Sequence, residues 1–241
     1  MKKLSLILLT IGCSFCAKAE LYAVFVGIAK YSDSSQDAPN LDEEAKQMRD
    51  VFFNAENRAN SYLITNERAT KENILNALKQ QLAKAMENDQ FLFYYAGRSN
   101  NGNISAYDAI NGVSYDEVEK LTANSKASVK MLFINNCNID ANKHHSDNKA
   151  INAFSNDSTL FVLLSARPDE RVIANNELKS TYFTHFLREG IKGMADLDGD
   201  GKISVYELYT YVNIKVAEKT ERKQNPVFIG IIDFMKNIFK L

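Results

Sequence analysis

The sequence predicts an α/β fold in which helices cover both faces of a largely parallel sheet. Several short segments are nearly continuous apolar runs, which are typical of strands buried on both faces. Segments with apolar residues at helical spacing lie between these runs, and this alternation is typical of a parallel sheet. The chain has 241 residues, of which 45% are hydrophobic and 24% charged, so it can bury one sizeable core.

The strands are predicted from their composition. Residues 21–29 (LYAVFVGIA) combine β-branched, aromatic and other apolar side chains, and we expect the first central strand there. The other apolar runs are shorter and lie at 61–65, 91–97, 131–134, 160–165 and 227–229.

Two of the predicted helices carry start signals. Thr70 can cap a helix in which an apolar residue recurs every four positions from Ile74 to Met86. Ser114 and Glu117 form a capping-box pattern before a short helix at 115–121. Further helices are expected at 42–53, 182–191 and 206–218.

Residues 1–19 have the pattern of a signal peptide. Lys2 and Lys3 precede an apolar run at 4–15, and Ala17-Lys18-Ala19 supplies the small residues needed for cleavage after Ala19. The run is shorter than the about 20 residues that span a membrane, and no later segment reaches about 18 apolar residues. We therefore predict an exported protein, periplasmic or extracellular, with its main domain at 20–230.

A lipid anchor at Cys13 is the alternative to plain secretion. Thr10-Ile11-Gly12-Cys13 places glycine before the cysteine, but it lacks the leucine that usually stands three residues ahead of the cysteine in a lipoprotein signal. Plain secretion is therefore the preferred interpretation. Membrane contact is expected only through a lipid at Cys13 or through the C-terminal tail.

Charge and cysteine content narrow the functions further. Removal of the signal peptide takes away three of the 29 basic residues and none of the 30 acidic ones, which leaves a net charge of −4. This chain lacks the basic excess of nucleic-acid-binding proteins, so we expect no nucleic-acid partner. Cleavage also removes Cys13 and Cys16, so Cys137 becomes the one cysteine of the mature chain.

The C-terminal tail, residues 231–241, is predicted to be amphipathic. Such a segment can dock on its own domain, on a partner or on a membrane surface, and docking on its own domain is the preferred interpretation. Arranged as a helix, the tail has Lys236 and Lys240 on one face and an apolar face of Ile232, Met235, Ile238 and Phe239.

Two neighbouring strands end in residues that can carry chemistry. Gly97-Arg98-Ser99 follows one central strand, and Asn136-Cys137-Asn138 follows the next. A lone cysteine is more often a small buried hydrophobe, but ligands of open α/β sheets bind at the carboxyl ends of the strands. We therefore assign Cys137 to a candidate active site.

Six segments in order resemble the caspase and metacaspase type of cysteine peptidase. They are YAVFVGIAKY, ITNERATKENILNAL, DQFLFYYAG, MLFINNCN, LLSAR and FTHFLREGIKGMADLDGDGKISVYELYTYV. The resemblance spans nearly all of 21–229 and implies a caspase-like three-layer sandwich. It also implies a Cys–His dyad in which the cysteine follows one strand, as Cys137 does, and the histidine lies in a Gly-His-Gly turn after the neighbouring strand.

The chain departs from the family pattern at three positions. Arg98 stands at the histidine position, and a guanidinium cannot accept and return the proton that thiol catalysis requires. Ser99 replaces the glycine whose backbone N–H helps to form the oxyanion hole. Asn135 stands where metacaspases often carry an aspartate that attracts a basic substrate residue, so we assign no specificity pocket from the sequence.

These departures predict a degenerate catalytic site. His144 and His145 lie in the polar segment after Cys137 and are the alternative bases, whereas His185 belongs to a predicted helix. Three functions remain: an exported, catalytically degenerate caspase-like protein that binds calcium, an active cysteine endopeptidase with a non-standard base, or a calcium-dependent interaction module. The partner is expected to be a protein or peptide that the sequence does not name.

Residues 196–207 match the calcium-binding loop of an EF-hand at every specified position. Gly201 permits the sharp turn, and predicted helices lie on both sides of the loop. The alternative is that DGDG only forms turns and that Ser204 and Glu207 form a capping box. The predicted Ca²⁺ ligands are the carboxylates of Asp196, Asp198 and Asp200, the Lys202 carbonyl, Ser204 through water, and both oxygens of Glu207.

Overall fold

The fold is seen in a computed structural model that describes residues 19–54, 58–100, 102–138, 152–154 and 156–241. The predicted signal peptide therefore lies outside the described residues except for Ala19. None of the described helices is long and apolar enough to span a membrane.

Twelve strands are present in the described part of the chain. Each of the apolar runs predicted as a strand overlaps an observed strand. The strands are β1 (Leu21–Gly27), β2 (Ser61–Thr65), β3 (Gln90–Asn100), β4 (Asn103–Ala106), β5 (Ala109–Ser114), β6 (Val129–Asn138), β7 (Leu160–Leu164), β8 (Ala174–Asn175), β9 (Ser180–Thr181), β10 (Lys202–Ser204), β11 (Val227–Gly230) and β12 (Asn237–Lys240).

Two of the helices begin at the caps predicted for them, Thr70 and Ser114. The Thr70 side chain accepts a hydrogen bond from the backbone N–H of Asn73, and Ser114 and Glu117 form a reciprocal capping box. The helices are α1 (Leu41–Phe52), α2 (Lys71–Lys84), α3 (Tyr115–Ala123), α4 (Tyr182–Glu189) and α5 (Val205–Lys219).

The main sheet has the order β11-β7-β6-β3-β1-β2, with the β4–β5 hairpin paired to the end of β3. β2, β1, β3, β6 and β7 pair in parallel, and β11 pairs with β7 in the antiparallel direction. The largely parallel sheet predicted from the sequence is confirmed.

Helices cover both faces of this sheet, so the fold is a three-layer α/β sandwich. One face packs α1, α4 and α5 against alternate residues such as Phe25 and Phe133. The other face packs α2 and α3 against residues such as Val24 and Leu132. Successive strand residues therefore enter different core layers, which explains why the strands have no polar alternation.

The chain direction across the sheet reverses at β1. From β1 the chain moves outward to β2 and then returns past β1 to β3, and it continues in that direction to β6 and β7. The carboxyl ends of β1 and β3 therefore lie at a topological switch point, which is where open α/β sheets bind ligands.

Residues 98–111 are mostly polar, yet most of them belong to strands. β3 continues to Asn100, and β4 and β5 form an antiparallel hairpin beyond it. Ile104 and Val113 are register partners in this hairpin and are fully buried. Two core residues in an otherwise polar stretch stabilise strands that composition alone does not reveal.

The expectation of an amphipathic helix in the tail is wrong. Residues after β11 form a turn in which the Lys236 N–H donates to the carbonyl of Asp233, and β12 then pairs with β10. Ile232 and Ile238 are both buried in the core. Two core residues on either side of a turn satisfy the apolar pattern without a helix, so the tail packs on its own domain.

Candidate functional site

Arg98 and Cys137 lie side by side in the backbones of neighbouring strands of the sheet. The two residues are register partners in the parallel β3–β6 pair, one position before Ser99 and Asn138. Both strands run through the positions where the sequence suggested that they end. The structure therefore brings the Arg98 and Cys137 backbones together at the carboxyl edge of the sheet.

The Arg98 side chain is fixed by the segment that follows β1. Its Nε donates to the Gln36 carbonyl and its Nη2 to the Asp37 carbonyl, each at 3.0 Å. The Arg98 backbone N–H donates to the Tyr31 hydroxyl at 2.6 Å. Both side-chain bonds go to neutral carbonyls, and no carboxylate in the described part of the chain forms an ion pair with Arg98. The positive charge of the guanidinium is held in place without being neutralised.

Gly97 allows two tyrosines to pack against the strand before Arg98. A Cβ atom at this position would lie 2.3 Å from the Tyr95 hydroxyl and 2.9 Å from that of Tyr31. Ser99 is buried in the same strand and pairs with both β4 and β6. Ser99 therefore has ordinary extended geometry, and its assignment to the oxyanion-hole position stays a prediction.

Glu44 is a site residue that the sequence did not reveal. It lies in α1 and is 1% exposed, which is unusual for a carboxylate. Its Oε1 accepts from the Thr181 backbone N–H and the Ser180 hydroxyl, and its Oε2 accepts from Thr184 at 2.7 Å and from Asn135 at 2.8 Å. No cation forms an ion pair with Glu44 among the described residues. These donors come from β6, β9 and α4, so three distant elements converge on one carboxylate.

Burial is the largest influence on the ionisation of Glu44. It raises the pKa of the carboxyl above its ordinary value, and the hydrogen bonds from Thr181, Thr184, Ser180 and Asn135 oppose that rise. The neighbouring Tyr94 hydroxyl contacts both Glu44 and Thr184, and burial and the nearby carboxylate raise the pKa of Tyr94 well above its ordinary value. A cation that entered next to Glu44 would stabilise its charged form.

Asn135 supplies an amide where the resemblance places an acidic residue in metacaspases. It is fully buried, and its Nδ2 also contacts Thr181 and Thr184. Its Oδ1 is buried without a hydrogen-bond partner. Position 135 has no carboxyl group, but the carboxyl group of Glu44 is next to it, with Oε2 2.8 Å from the Asn135 Nδ2.

A cavity of about 180 Å³ lies at the switch point. Glu44 and Arg98 both line it, so an acidic and a basic residue contribute to the walls of one cavity. Its other walls are mostly small and apolar or neutral: Ala38, Pro39, Asn40, Leu41, Val172, Ala174, Ser180 and Thr181. The volume suits a single side chain rather than a folded partner.

His144 and His145, the alternative bases named from the sequence, lie outside the described residues. His185 is in α4, with its ring centroid 4.9 Å from that of Phe186, and burial lowers its pKa. His185 therefore has the ordinary structural role expected from the sequence.

The acidic loop folds around its own backbone. The carboxylate of Asp196 accepts from the backbone N–H groups of Gly199, Asp200 and Gly201, at 2.9 to 3.1 Å. Gly201 has a φ of +78°, which a glycine adopts at little cost. Ligand oxygens of Asp196, Asp198 and Glu207 lie within 4.8 Å of one another. This all-oxygen donor set fits a hard divalent cation such as Ca²⁺.

Glu207 closes the loop and also caps α5. Its Oε2 accepts from the Ser204 hydroxyl and N–H, and its Oε1 accepts from the Leu197 N–H at 3.0 Å. Burial opposes its ionisation, but the hydrogen bonds from Ser204 and Leu197 outweigh burial and lower the pKa of Glu207. The capping box is therefore confirmed. Oε2 already accepts two hydrogen bonds, so both of its lone pairs are engaged in the cap.

Three further positions of the predicted calcium loop, Asp200, Lys202 and Ser204, also make contacts within the domain. Asp200 accepts from the Lys202 N–H at 2.8 Å, and the Lys202 ammonium lies 3.3 Å from its second oxygen. Lys202 and Ser204 are the ends of β10, which pairs with β12 in the C-terminal tail. The loop is thus anchored to the domain by a strand from the end of the chain.

The fold is that of an α/β protein, and its candidate site lies at the topological switch point formed by the carboxyl ends of β1 and β3. The sequence matches the caspase domain family over residues 20–231, and the chain belongs to this family. The fold is similar to protein GSU0716 from Geobacter sulfurreducens, with a TM-score of 0.64 and 14% identity over 90% of this chain and 97% of that one. It is also similar to caspase-1 from Spodoptera frugiperda, with a TM-score of 0.64 and 14% identity over 89% and 90%. No curated protein matches the sequence.

Proposed function

We propose that this chain is a catalytically degenerate caspase-like protein that binds peptides. In this proposal, the protein recognises a basic side chain of the peptide. The observation that carries the proposal is the cavity at the switch point, where the buried Glu44 carboxylate takes the place of a pocket acid and Arg98 takes the place of the catalytic base. The caspase domain fold supplies the scaffold, and the residues at the site determine what the scaffold does.

Arg98 supports the loss of catalysis. A cysteine peptidase needs a group that removes the thiol proton and then returns a proton to the leaving amine. A guanidinium has donors only, so Arg98 can stabilise a thiolate at Cys137 but cannot complete this cycle. An active endopeptidase would need His144 or His145 as its base. Cleavage of a peptide by the unmodified protein would support that alternative.

Glu44 supports the binding of a cation. A buried carboxylate without a charged partner is costly, and a basic side chain in the cavity would offset that cost. The apolar walls at Ala38, Pro39 and Val172 suit the aliphatic stem of lysine or arginine. The ligand is therefore expected to be a protein or peptide segment with an accessible basic residue.

Calorimetric titration with an arginine-containing peptide tests this proposal. The peptide in which citrulline replaces arginine keeps the shape and loses the charge, and we expect it to bind at least tenfold more weakly. Glu44→Gln should remove this preference, whereas Glu43→Gln should keep it, because the Glu43 side chain is half exposed and pairs with Lys46 on the surface of α1. Equal binding of the arginine and citrulline peptides to the unmodified protein would refute the Glu44 pocket.

Calcium binding at residues 196–207 is a second proposed property. It is supported by the close approach of three carboxylates in a loop with all the ligand positions filled. Asp196, Asp198, Asp200 and Glu207 would hold the ion, with the Lys202 carbonyl and Ser204 through water. Bound calcium would offset the repulsion among these carboxylates and link the loop to α5.

Export is proposed from the first nineteen residues. N-terminal sequencing of the protein recovered from outside the cytoplasm should begin at Glu20. A blocked N-terminus at a lipid-modified Cys13 would instead support the lipoprotein alternative.

A further inference from the structure

We propose that a second site, at the β2 end of the main sheet, binds an extended acidic peptide as an added strand. The site is formed by the outer edge of β2 and by the face of α2 beside it. Its cavity shares no lining residue with the cavity at the switch point, so this inference does not rest on the proposed function.

The outer edge of β2 is open to pairing. β2 is the last strand on its side of the main sheet and pairs with β1 alone, so its outer backbone groups form no ladder bonds in the described part of the chain. Proteins usually protect such an edge with charged residues, proline or a bulge. Ser61–Thr65 (SYLIT) contains none of these, and its register with β1 is regular. An edge of this kind is suited to pairing with another extended segment.

A cavity of about 260 Å³ lies along this edge, between β2 and α2. Three consecutive residues of β2 line it: Tyr62, Leu63 and Ile64. Ile64 belongs to the core layer under α2 and Leu63 packs against the layer under α1, so their side chains point to opposite faces of the sheet. A cavity that both residues line must therefore contact the backbone edge of the strand. An added strand can form ladder bonds with β2 there while its alternate side chains enter the cavity.

The helical wall of the cavity carries polar groups that suit a peptide backbone. Asn73, Asn76 and Gln80 line it from one face of α2, and all three are exposed. Gln80 Oε1 accepts from the Tyr62 hydroxyl and Asn73 Nδ2 donates to the Arg68 carbonyl, each at 2.8 Å. The Asn76 amide forms no hydrogen bond with any described residue. Amide side chains both donate and accept, so this wall can bond the N–H and C=O groups of a peptide.

The charge around the cavity favours an acidic ligand. Arg68 is the one charged residue among those that line it, and it pairs with no carboxylate of the described residues. The Lys84 ammonium lies 6.0 Å from the centroid of the Tyr62 ring. Arg68 follows the carboxyl end of β2 and Tyr62 is near its amino end, so one cation lies toward each end of the strand. An extended segment with an acidic residue at each end matches this arrangement.

A second copy of this chain matches the edge less well. Its own β2 contains no acidic residue. In an antiparallel pair of β2 strands, the residues before one strand lie beside the residues after the other, so Arg58 of one copy approaches Arg68 of the second. Like charges that face each other across a strand pair are destabilising. We therefore assign the edge to a separate acidic peptide.

An NMR titration of the isotope-labelled protein tests this site. The probe is the capped peptide Asp-Val-Thr-Val-Thr-Val-Asp, whose two aspartates place one carboxylate beside Arg68 in either strand direction. The backbone N–H signals of Ser61–Thr65 should shift, and their outer N–H groups should exchange more slowly with solvent. The same peptide with asparagine at both ends should bind about tenfold more weakly. A probe that is methylated on its backbone nitrogens cannot donate ladder bonds and should not bind measurably.

Two pairs of variants locate the binding. Asn76→Tyr places a bulky ring on the cavity wall and should block the probe, whereas Lys79→Tyr adds the same ring to α2 outside the cavity lining and should not. Arg68→Gln should weaken binding of the aspartate probe about fivefold and leave that of the asparagine probe unchanged. Arg58→Gln is the matched control, because the Arg58 guanidinium already pairs with Asp50.

The outcomes separate this site from the proposed function. The absence of signal shifts in β2 at millimolar probe would overturn the site, and equal binding of the aspartate and asparagine probes would overturn the acidic ligand. Dimerisation of the protein through β2 without a probe would assign the edge to a second copy and overturn the peptide. Glu44→Gln should leave the titration unchanged, because Glu44 does not line this cavity.

Discussion

Two groups of carboxylates in this protein have opposite surroundings. Glu44 is 1% exposed and is held by donors from three other elements, whereas Asp198 and Asp200 lie on an exposed loop and accept mainly from the backbone of the loop itself. Solvent stabilises the charge of the loop carboxylates, whereas the charge of Glu44 is stabilised only by hydrogen bonds from its protein neighbours, which do not fully offset the effect of burial. The contribution of Glu44 to stability should therefore depend on pH and on the occupant of the cavity. The contribution of the loop should depend on bound cations.

The two regions also differ in how they relate to the core. Glu44 lies on the same face of α1 as Leu41 and Met48, so its position follows from core packing. The loop is attached through β10 and through the tail, whose Lys236 and Phe234 carbonyls accept from the first N–H groups of α5. The comparison can be tested by disturbing one region at a time.

Loss of the tail anchor should have the largest effect. Ile238 is buried in β12, and Ile238→Ala should lower the free energy of unfolding by about 2–5 kcal/mol because it removes core packing. Ile231→Ala is the matched control, and since Ile231 is 58% exposed, its change should be close to zero. Urea denaturation of both variants measures the difference. Similar values for the two would show that the tail does not anchor the loop to the core.

Calcium should stabilise the native state through the loop. A ligand at a hundredfold excess over its dissociation constant adds about 2.7 kcal/mol, so the melting temperature should rise with millimolar calcium, and magnesium should do less. Glu207→Gln should abolish the rise while it keeps the capping box, in which glutamine can replace glutamate.

The chain contains a control for that substitution. Ser114 and Glu117 form the same capping box as Ser204 and Glu207, but without an acidic loop before it. Glu117→Gln should therefore leave the calcium effect unchanged. If calorimetry detects no calcium uptake by the unmodified protein up to about 10 mM, the loop has only a structural role.

The pH dependence of stability should reveal Glu44. Because the folded state raises the pKa of Glu44, its contribution to stability is fully present below the unfolded value and is lost as the pH rises through the folded value. The unmodified protein should therefore lose stability relative to Glu44→Gln as the pH rises above 4.5, the ordinary value of a glutamate carboxyl. Chemical denaturation between pH 4 and 8 measures this difference. A constant difference across that range would mean that the folded state does not perturb Glu44.

The fold was largely predictable because its strands are apolar on both faces. Runs such as 21–29 are apolar on both faces, so a strand formed from them must be covered on both sides. Their composition alone therefore indicates a central sheet. The prediction of a helix in the tail was wrong because Ile232 and Ile238 fit a helical period, although a turn at Asp233 separates them. Apolar spacing alone does not distinguish one helical face from two short segments that reach the same core.

The site was only partly predictable. Arg98 and Cys137 follow apolar runs, so strand order indicated both. Glu44 follows Asp42 and Glu43 at the start of α1, where acidic residues are ordinary near a helix N-terminus. The one available signal was its spacing of three residues from Leu41 and four from Met48, on the apolar face. The decisive donors, at Thr181 and Thr184, lie far away in the sequence and become neighbours only in the fold.

Mass spectrometry of a peptide incubated with the protein tests the central claim most directly. The peptide contains internal arginine, lysine and aspartate, and it is followed with and without calcium, beside Cys137→Ala as the control. Arg98→His with Ser99→Gly provides a positive comparison, since it restores a group that can move a proton and is the variant in which trace cleavage is expected. The account predicts that the unmodified protein leaves the peptide intact in every condition. Cleavage by the unmodified protein that disappears in Cys137→Ala would contradict the account and would identify an active peptidase with a base other than position 98.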